Sequence, residues 1–74
     1  MTQQELEKKG LTLSENAQRS GLASLSNDDI RLLFLYETWK DGADWYLIED
    51  CQDSQREKMS FQLINCYGYT QEAV

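Results

Sequence analysis

The sequence predicts an all-α fold, a small compact helical bundle, and three observations carry that prediction. The chain has no proline and only four glycines, whereas β-rich folds turn often and use both residues to do so. Its apolar residues recur at i, i+3, i+4 and i+7 rather than alternating. Cap-type residues stand at the head of the periodic runs and glycines at their ends. The expected bundle has three main helices, about residues 27–40, 44–51 and 55–67, with one or two short helices before them.

The 74 residues make one acidic domain, since a chain of this size buries only about 60% of its unfolded surface. It can build one core, but not a core and a deep cleft.

Along the chain, Thr2 and Glu5 have capping-box spacing and Gly10 stands where a helix would stop. A short helix over residues 3–9 is expected, with only Leu6 to bury. Residues 11–13 read as an extended entry. Ser14 then caps a second short helix over residues 15–20, closed by Gly21 with Leu22 as an apolar clasp.

The best-specified element comes next. Ser26 can cap the N–H of Asp29, while Asp28 and Asp29 complement the positive end of the helix dipole. Leu25 and Ile30 flank the cap as a hydrophobic staple. Leu32, Leu35, Tyr36 and Trp39 form one helical stripe; Ile30, Leu33 and Phe34 form a second beside it. A helix this apolar around its circumference is central to the core or faces a second chain. The second possibility is the motive for expecting a homodimer. Asp41 and Gly42 end the helix.

Residues 44–51 are read as a helix capped by Asp44, because a strand there has only residues 11–13 to pair with. Ser54 and Glu57 again have capping-box spacing and open the last helix. There Met59, Leu63 and Tyr67 form an apolar face widened by Phe61 and Ile64, and Gly68 closes it. Residues 69–74 are expected to be loose.

The composition excludes much chemistry. With no histidine, Ser-His-Asp and Cys-His nucleophile arrangements are impossible, and the commonest neutral metal ligand is missing. Cys51 and Cys66 cannot form a zinc tetrad. They would lie at opposite ends of the helix expected over residues 55–67, which is about 18 Å long, too far apart to bridge. Both are expected to be reduced thiols in the core. Glu49 and Asp50 disfavour a thiolate at Cys51. Asp41, Asp44, Glu49, Asp50 and Asp53 lack calcium-loop spacing. No phosphate-binding glycine loop occurs. No enzyme activity, cofactor or metal is expected. No apolar run of about 18 residues would cross a membrane, and the first residues lack signal-peptide character, so the cytoplasm is the expected compartment.

Ala17, Gly21, Leu22 and Ile30 fall at spacings that resemble a helix-turn-helix DNA-binding unit, over about a fifth of the chain. Asn16 and Asn27 depart from the pattern, standing where apolar packing residues belong. The resemblance implies a small regulator that places its second helix on DNA. That helix would present Asn27, Asp28 and Asp29, whose carboxylates repel phosphate, so direct nucleic-acid binding is not expected.

The net charge of −6 is confined to one segment. In residues 1–27, Glu5, Glu7 and Glu15 balance Lys8, Lys9 and Arg19; in residues 54–74, Glu57 and Glu72 balance Arg56 and Lys58. Residues 28–53 hold eight acids against Arg31 and Lys40, together with Phe34, Tyr36, Trp39, Trp45 and Tyr46. Tryptophan and tyrosine dominate binding hot spots, and complementary charge speeds encounter. The simplest alternative is an ordinary acidic surface over an aromatic core.

The functional expectation is therefore a protein-interaction module, an inhibitor or adaptor that docks on a basic surface of a larger protein. The expected contact residues are Glu37, Trp39, Asp41, Asp44, Trp45, Tyr46, Glu49, Asp50 and Asp53. A second expectation is a nucleic-acid mimic whose carboxylates stand in for phosphates, as in small phage or mobile-element inhibitors of restriction or CRISPR enzymes. The partner would then be a nucleic-acid-binding enzyme.

Overall fold

The computed structural model describes residues 2–42 and 53–72. Their elements are α1 (Gln3–Ser20), a 3₁₀ turn (Leu22–Ser24), α2 (Asn27–Lys40) and α3 (Asp53–Tyr67). The all-α expectation holds, with no strand among the described residues. The helix expected over residues 44–51 lies outside them.

The first correction concerns the N-terminal third. Instead of two short helices around an extended link, α1 runs unbroken through Gly10 and residues 11–13. Gly10 belongs to the buried stripe of Leu6, Ser14 and Ala17, which recur at helical spacing. It lies so close to Tyr36 of α2 that a Cβ there would overlap the tyrosine ring. The glycine costs about 1 kcal/mol of helix propensity relative to alanine and in return lets α2 pack against the bare backbone of α1. The ends of α1 follow the sequence. Thr2 accepts from the Glu5 N–H at 3.2 Å. Gly21, at φ 84°, donates its N–H to Ala17, and Leu22 beyond it is fully buried.

The predicted start of α2 is also present. Ser26 Oγ accepts from the Asp29 N–H at 3.2 Å, and the staple residues Leu25 and Ile30 are both buried. Ile30, Leu33, Leu35 and Tyr36 enter the core, while Leu32, Phe34 and Trp39 are half-buried. α2 packs against both α1 and α3. Tyr36 stands over Gly10 and Leu32 lines a groove with Leu13, so α1 and α2 are antiparallel. Arg56 near the start of α3 donates to Asn27 at the start of α2, and Tyr67 at the end of α3 feels the carboxylate of Asp41 at the end of α2. Hence α2 and α3 run in the same direction.

Helix α3 starts two residues before the expected boundary, which places Ser54 inside the helix rather than at its cap. Met59 and Leu63 are buried and Tyr67 is half-buried. Phe61 does not widen that face: it is 67% exposed. At about 100° per residue, position 61 lies about 200° from Met59 and projects from the opposite side of the helix. Cys66 is exposed rather than a core residue, and Cys51 lies outside the described residues.

The second correction concerns residues 69–72, the described part of the tail, which are anchored rather than loose. Gly68 (φ 78°) redirects the chain after α3. The Tyr69 N–H then donates to Leu63 O at 3.1 Å. Leu22 and Ala23 donate their N–H groups to Thr70 and Gln71 at 2.9 and 2.8 Å. The start of α3 is held to the same turn, because Arg56 donates to the Leu22 carbonyl at 3.2 Å. Among the described residues, no helix is long and apolar enough to cross a membrane.

Candidate interaction surface

The residues expected to meet a partner start at the end of α2, and the structure separates them. Glu37 points inward and is only 9% exposed. Its position follows from helical phase, since it continues the Ile30–Leu33 stripe at i+7 and i+4. Its Oε1 accepts from the Tyr69 hydroxyl at 2.9 Å. The Tyr69 proton is thereby committed to the carboxylate, so Ser14 Oγ, 2.5 Å away, must be the donor in the Ser14–Tyr69 bond. Gln18 Nε2 in turn donates to Ser14 Oγ at 3.4 Å. The chain Gln18, Ser14, Tyr69, Glu37 ties α1, the tail and α2 together. Burial first, and the Glu37 carboxylate with it, push the Tyr69 hydroxyl up to about 12, against the lowering effect of Ser14. Glu37 is therefore a structural acceptor and not part of an acidic face.

Lys40 closes the network from outside, with Nζ 3.8 Å from Glu37 Oε1 and 4.8 Å from the centre of the Tyr36 ring. Trp39 is half-buried, its ring tilted against Tyr36 at 6.5 Å. Asp41 is exposed and caps α2, donating its N–H to Glu37 O at 3.1 Å. Burial raises the Tyr67 hydroxyl above its ordinary value, and Asp41 adds to that shift. Of the other expected contact residues, Asp53 is the first residue of α3; Asp44, Trp45, Tyr46, Glu49 and Asp50 lie outside the described residues. The structure thus places Trp39 and Asp41 near the α2 terminus and turns Glu37 inward.

The positions that resemble a helix-turn-helix unit act as packing. Ala17, Leu22 and Ile30 are fully buried around Gly21. The start of α2 presents Asp28 to solvent with Asp29 half-exposed, an unfavourable surface for phosphate.

Grooves on the described surface lie on two sides of the bundle. One lies between α1 and α2, with Leu13 and Leu32 between Lys8, Lys9 and Asp29; its rim mixes both signs of charge. Two others flank Phe61 on α3. One is lined by Arg56, Ser60, Ile64 and Gln71, the other by Glu57, Lys58 and Gln62. Among the described residues, two large apolar side chains face solvent, and Phe61 is more exposed than Leu11 at 53%. Helical phase relative to Met59 and Leu63 was the sequence signal for it. Among the described residues, no group of three or more His, Cys, Asp or Glu side chains is placed to hold a metal ion.

No protein-family model, no curated protein and no solved structure matches this chain.

Proposed function

We propose that this protein is a non-enzymatic interaction module of the cytoplasm, an inhibitor or adaptor that docks on a basic surface of a larger protein. The observation that carries the proposal is the confinement of the whole net charge of −6 to residues 28–53. A field concentrated in one segment steers a basic partner to that segment. The Glu37–Tyr69 bond supports this reading, because it fixes the end of α2 from which Asp41 and the half-buried Trp39 are presented. A half-buried tryptophan and an exposed carboxylate at one helix end supply an apolar anchor and a charge for a docking rim. Asp44, Trp45, Tyr46, Glu49, Asp50 and Asp53 join the docking segment on sequence grounds. A protein that itself binds nucleic acid is the natural partner class, since its surface is already built to accept negative charge.

The test starts with a pull-down on the immobilised protein and mass spectrometry of what is retained. With that partner, converting Asp41, Asp44, Glu49 and Asp50 to lysine should slow association by more than about tenfold. Converting Glu5, Glu7 and Glu15 should change it little, with circular dichroism confirming that both variants fold. Loss of binding on the N-terminal reversal, with the 41–50 reversal still binding, would put the site on α1 instead.

A further inference from the structure

We infer that the outer face of α3, centred on Phe61, is a self-association surface whose occupant is a second copy of this chain. The expectation of a homodimer first rested on α2, but α1 and α3 both pack on that helix and bury Ile30, Leu33, Leu35 and Tyr36. Among the described residues, the most exposed large apolar side chain is on α3. Phe61 stands 67% exposed, with a groove lined by Ser60 and Ile64 immediately beside it. A projecting ring next to a groove on one face is what an isologous two-fold contact requires, because each copy inserts its own ring and receives its partner's.

Charge selects the same face and the same occupant. Two chains of net charge −6 repel, and the repulsion arises from residues 28–53. Within α3 itself, Asp53 and Glu57 balance Arg56 and Lys58, so α3 can approach another α3 without adding net charge. The distribution along the helix then sets the orientation. All four charged residues of α3, Asp53, Arg56, Glu57 and Lys58, lie in its first half, whereas the exposed positions of its second half, Gln62, Asn65 and Cys66, carry no formal charge. A parallel pair would oppose Glu57 to Glu57 and Lys58 to Lys58, both of which are exposed. An antiparallel pair opposes each charged half to the uncharged half of the other copy, with Phe61 near the axis. A basic partner, by contrast, has nothing to select on a face of zero net charge.

The contact area is modest. Helix α3 has 15 residues, about 22 Å of length, and one helix face falls short of the roughly 800 Å² per partner of a standard interface. The dimer is accordingly a weak one that forms as concentration rises.

Sedimentation equilibrium on the full chain, from about 1 µM to about 1 mM, a range chosen to bracket weak affinities, tests this. The expected result is an apparent mass rising from 8.6 kDa towards twice that value. Phe61→Glu should weaken association by more than about tenfold; the residue is exposed, so folding is retained and circular dichroism checks it. Added salt should strengthen association by screening the repulsion between the acidic segments. The same salt should weaken docking of a basic partner, which keeps the failure of this inference distinct from failure of the proposed function. A chain monomeric across the range overturns the inference, as does a dimer indifferent to Phe61→Glu.

Discussion

Tyr69 and Phe61 stand eight positions apart at the C-terminal end of the chain, and the structure gives them opposite roles. Tyr69 lies past the end of α3 and is 5% exposed, its hydroxyl held between Ser14 and Glu37. Phe61 lies within α3 and is 67% exposed. Hydrophobicity alone orders them the wrong way, because phenylalanine is the more apolar. Two geometric facts decide. Helical phase turns position 61 away from Met59 and Leu63, whereas Gly68 releases position 69 from the helix so that it folds back over α1 and α2. The tyrosine hydroxyl also meets partners that remove the cost of burying it. Residues that build this fold can thus be separated by substitution from residues that leave the fold untouched.

The largest expected effect lies at the centre of the fold, where both regions attach. Leu35→Ala should destabilise by about 2–5 kcal/mol, because Leu35 is 4% exposed within the core. That is a large share of the stability of so small a domain. Urea unfolding followed by circular dichroism measures it, and a change below about 0.5 kcal/mol, the usual range for surface sites, would put Leu35 outside the core.

Next in size is the tyrosine. Tyr69→Phe keeps the ring and removes the hydroxyl, leaving Glu37 and Ser14 without their shared partner, for an expected loss of about 1–3 kcal/mol. The same hydroxyl imposes a pH dependence. Its value in the folded protein is raised from 10.0 to about 12, so the folded state holds the proton more tightly than the unfolded chain does. That contribution is fully present below pH 10 and is lost as pH rises from about 10 through about 12. Wild type should lose stability over that window more steeply than Tyr69→Phe. Equal slopes for the two proteins would show that the hydroxyl is not held as described.

Sequence reasoning captured local features and missed distant ones. The caps at Thr2 and Ser26, the Leu25–Ile30 staple and the stop at Gly21 all depend on residues within five positions, and each appears as expected. Gly10 shows the limit, since a glycine in a helical pattern marks a terminus or a close approach, and only the position of Tyr36 distinguishes them. The Tyr69 network joins residues 32 and 55 positions apart, a separation no local pattern encodes. Glu37 was within reach, because it continues the Ile30–Leu33 stripe, but its place in a run of acids pointed to the surface. Of the expected contact residues, Trp39 and Asp41 stand where the acidic segment leaves α2.

The smallest expected effect is at Phe61, and its sign is informative. In dilute solution, where the chain is monomeric, Phe61→Ala removes a side chain with little burial to lose. Alanine is the better helix former by about half a kcal/mol. The variant should therefore be neutral to slightly stabilised, within about 0.5 kcal/mol of wild type. At high concentration the comparison should reverse. Self-association stabilises the folded wild type by mass action, and the variant forgoes that gain. Unfolding midpoints measured at both ends of a concentration series read the crossover directly. A dilute destabilisation above about 1 kcal/mol, beyond the usual surface range, would mean that Phe61 is packed within its own chain. Parallel midpoints at every concentration would mean that nothing docks on it as a second copy.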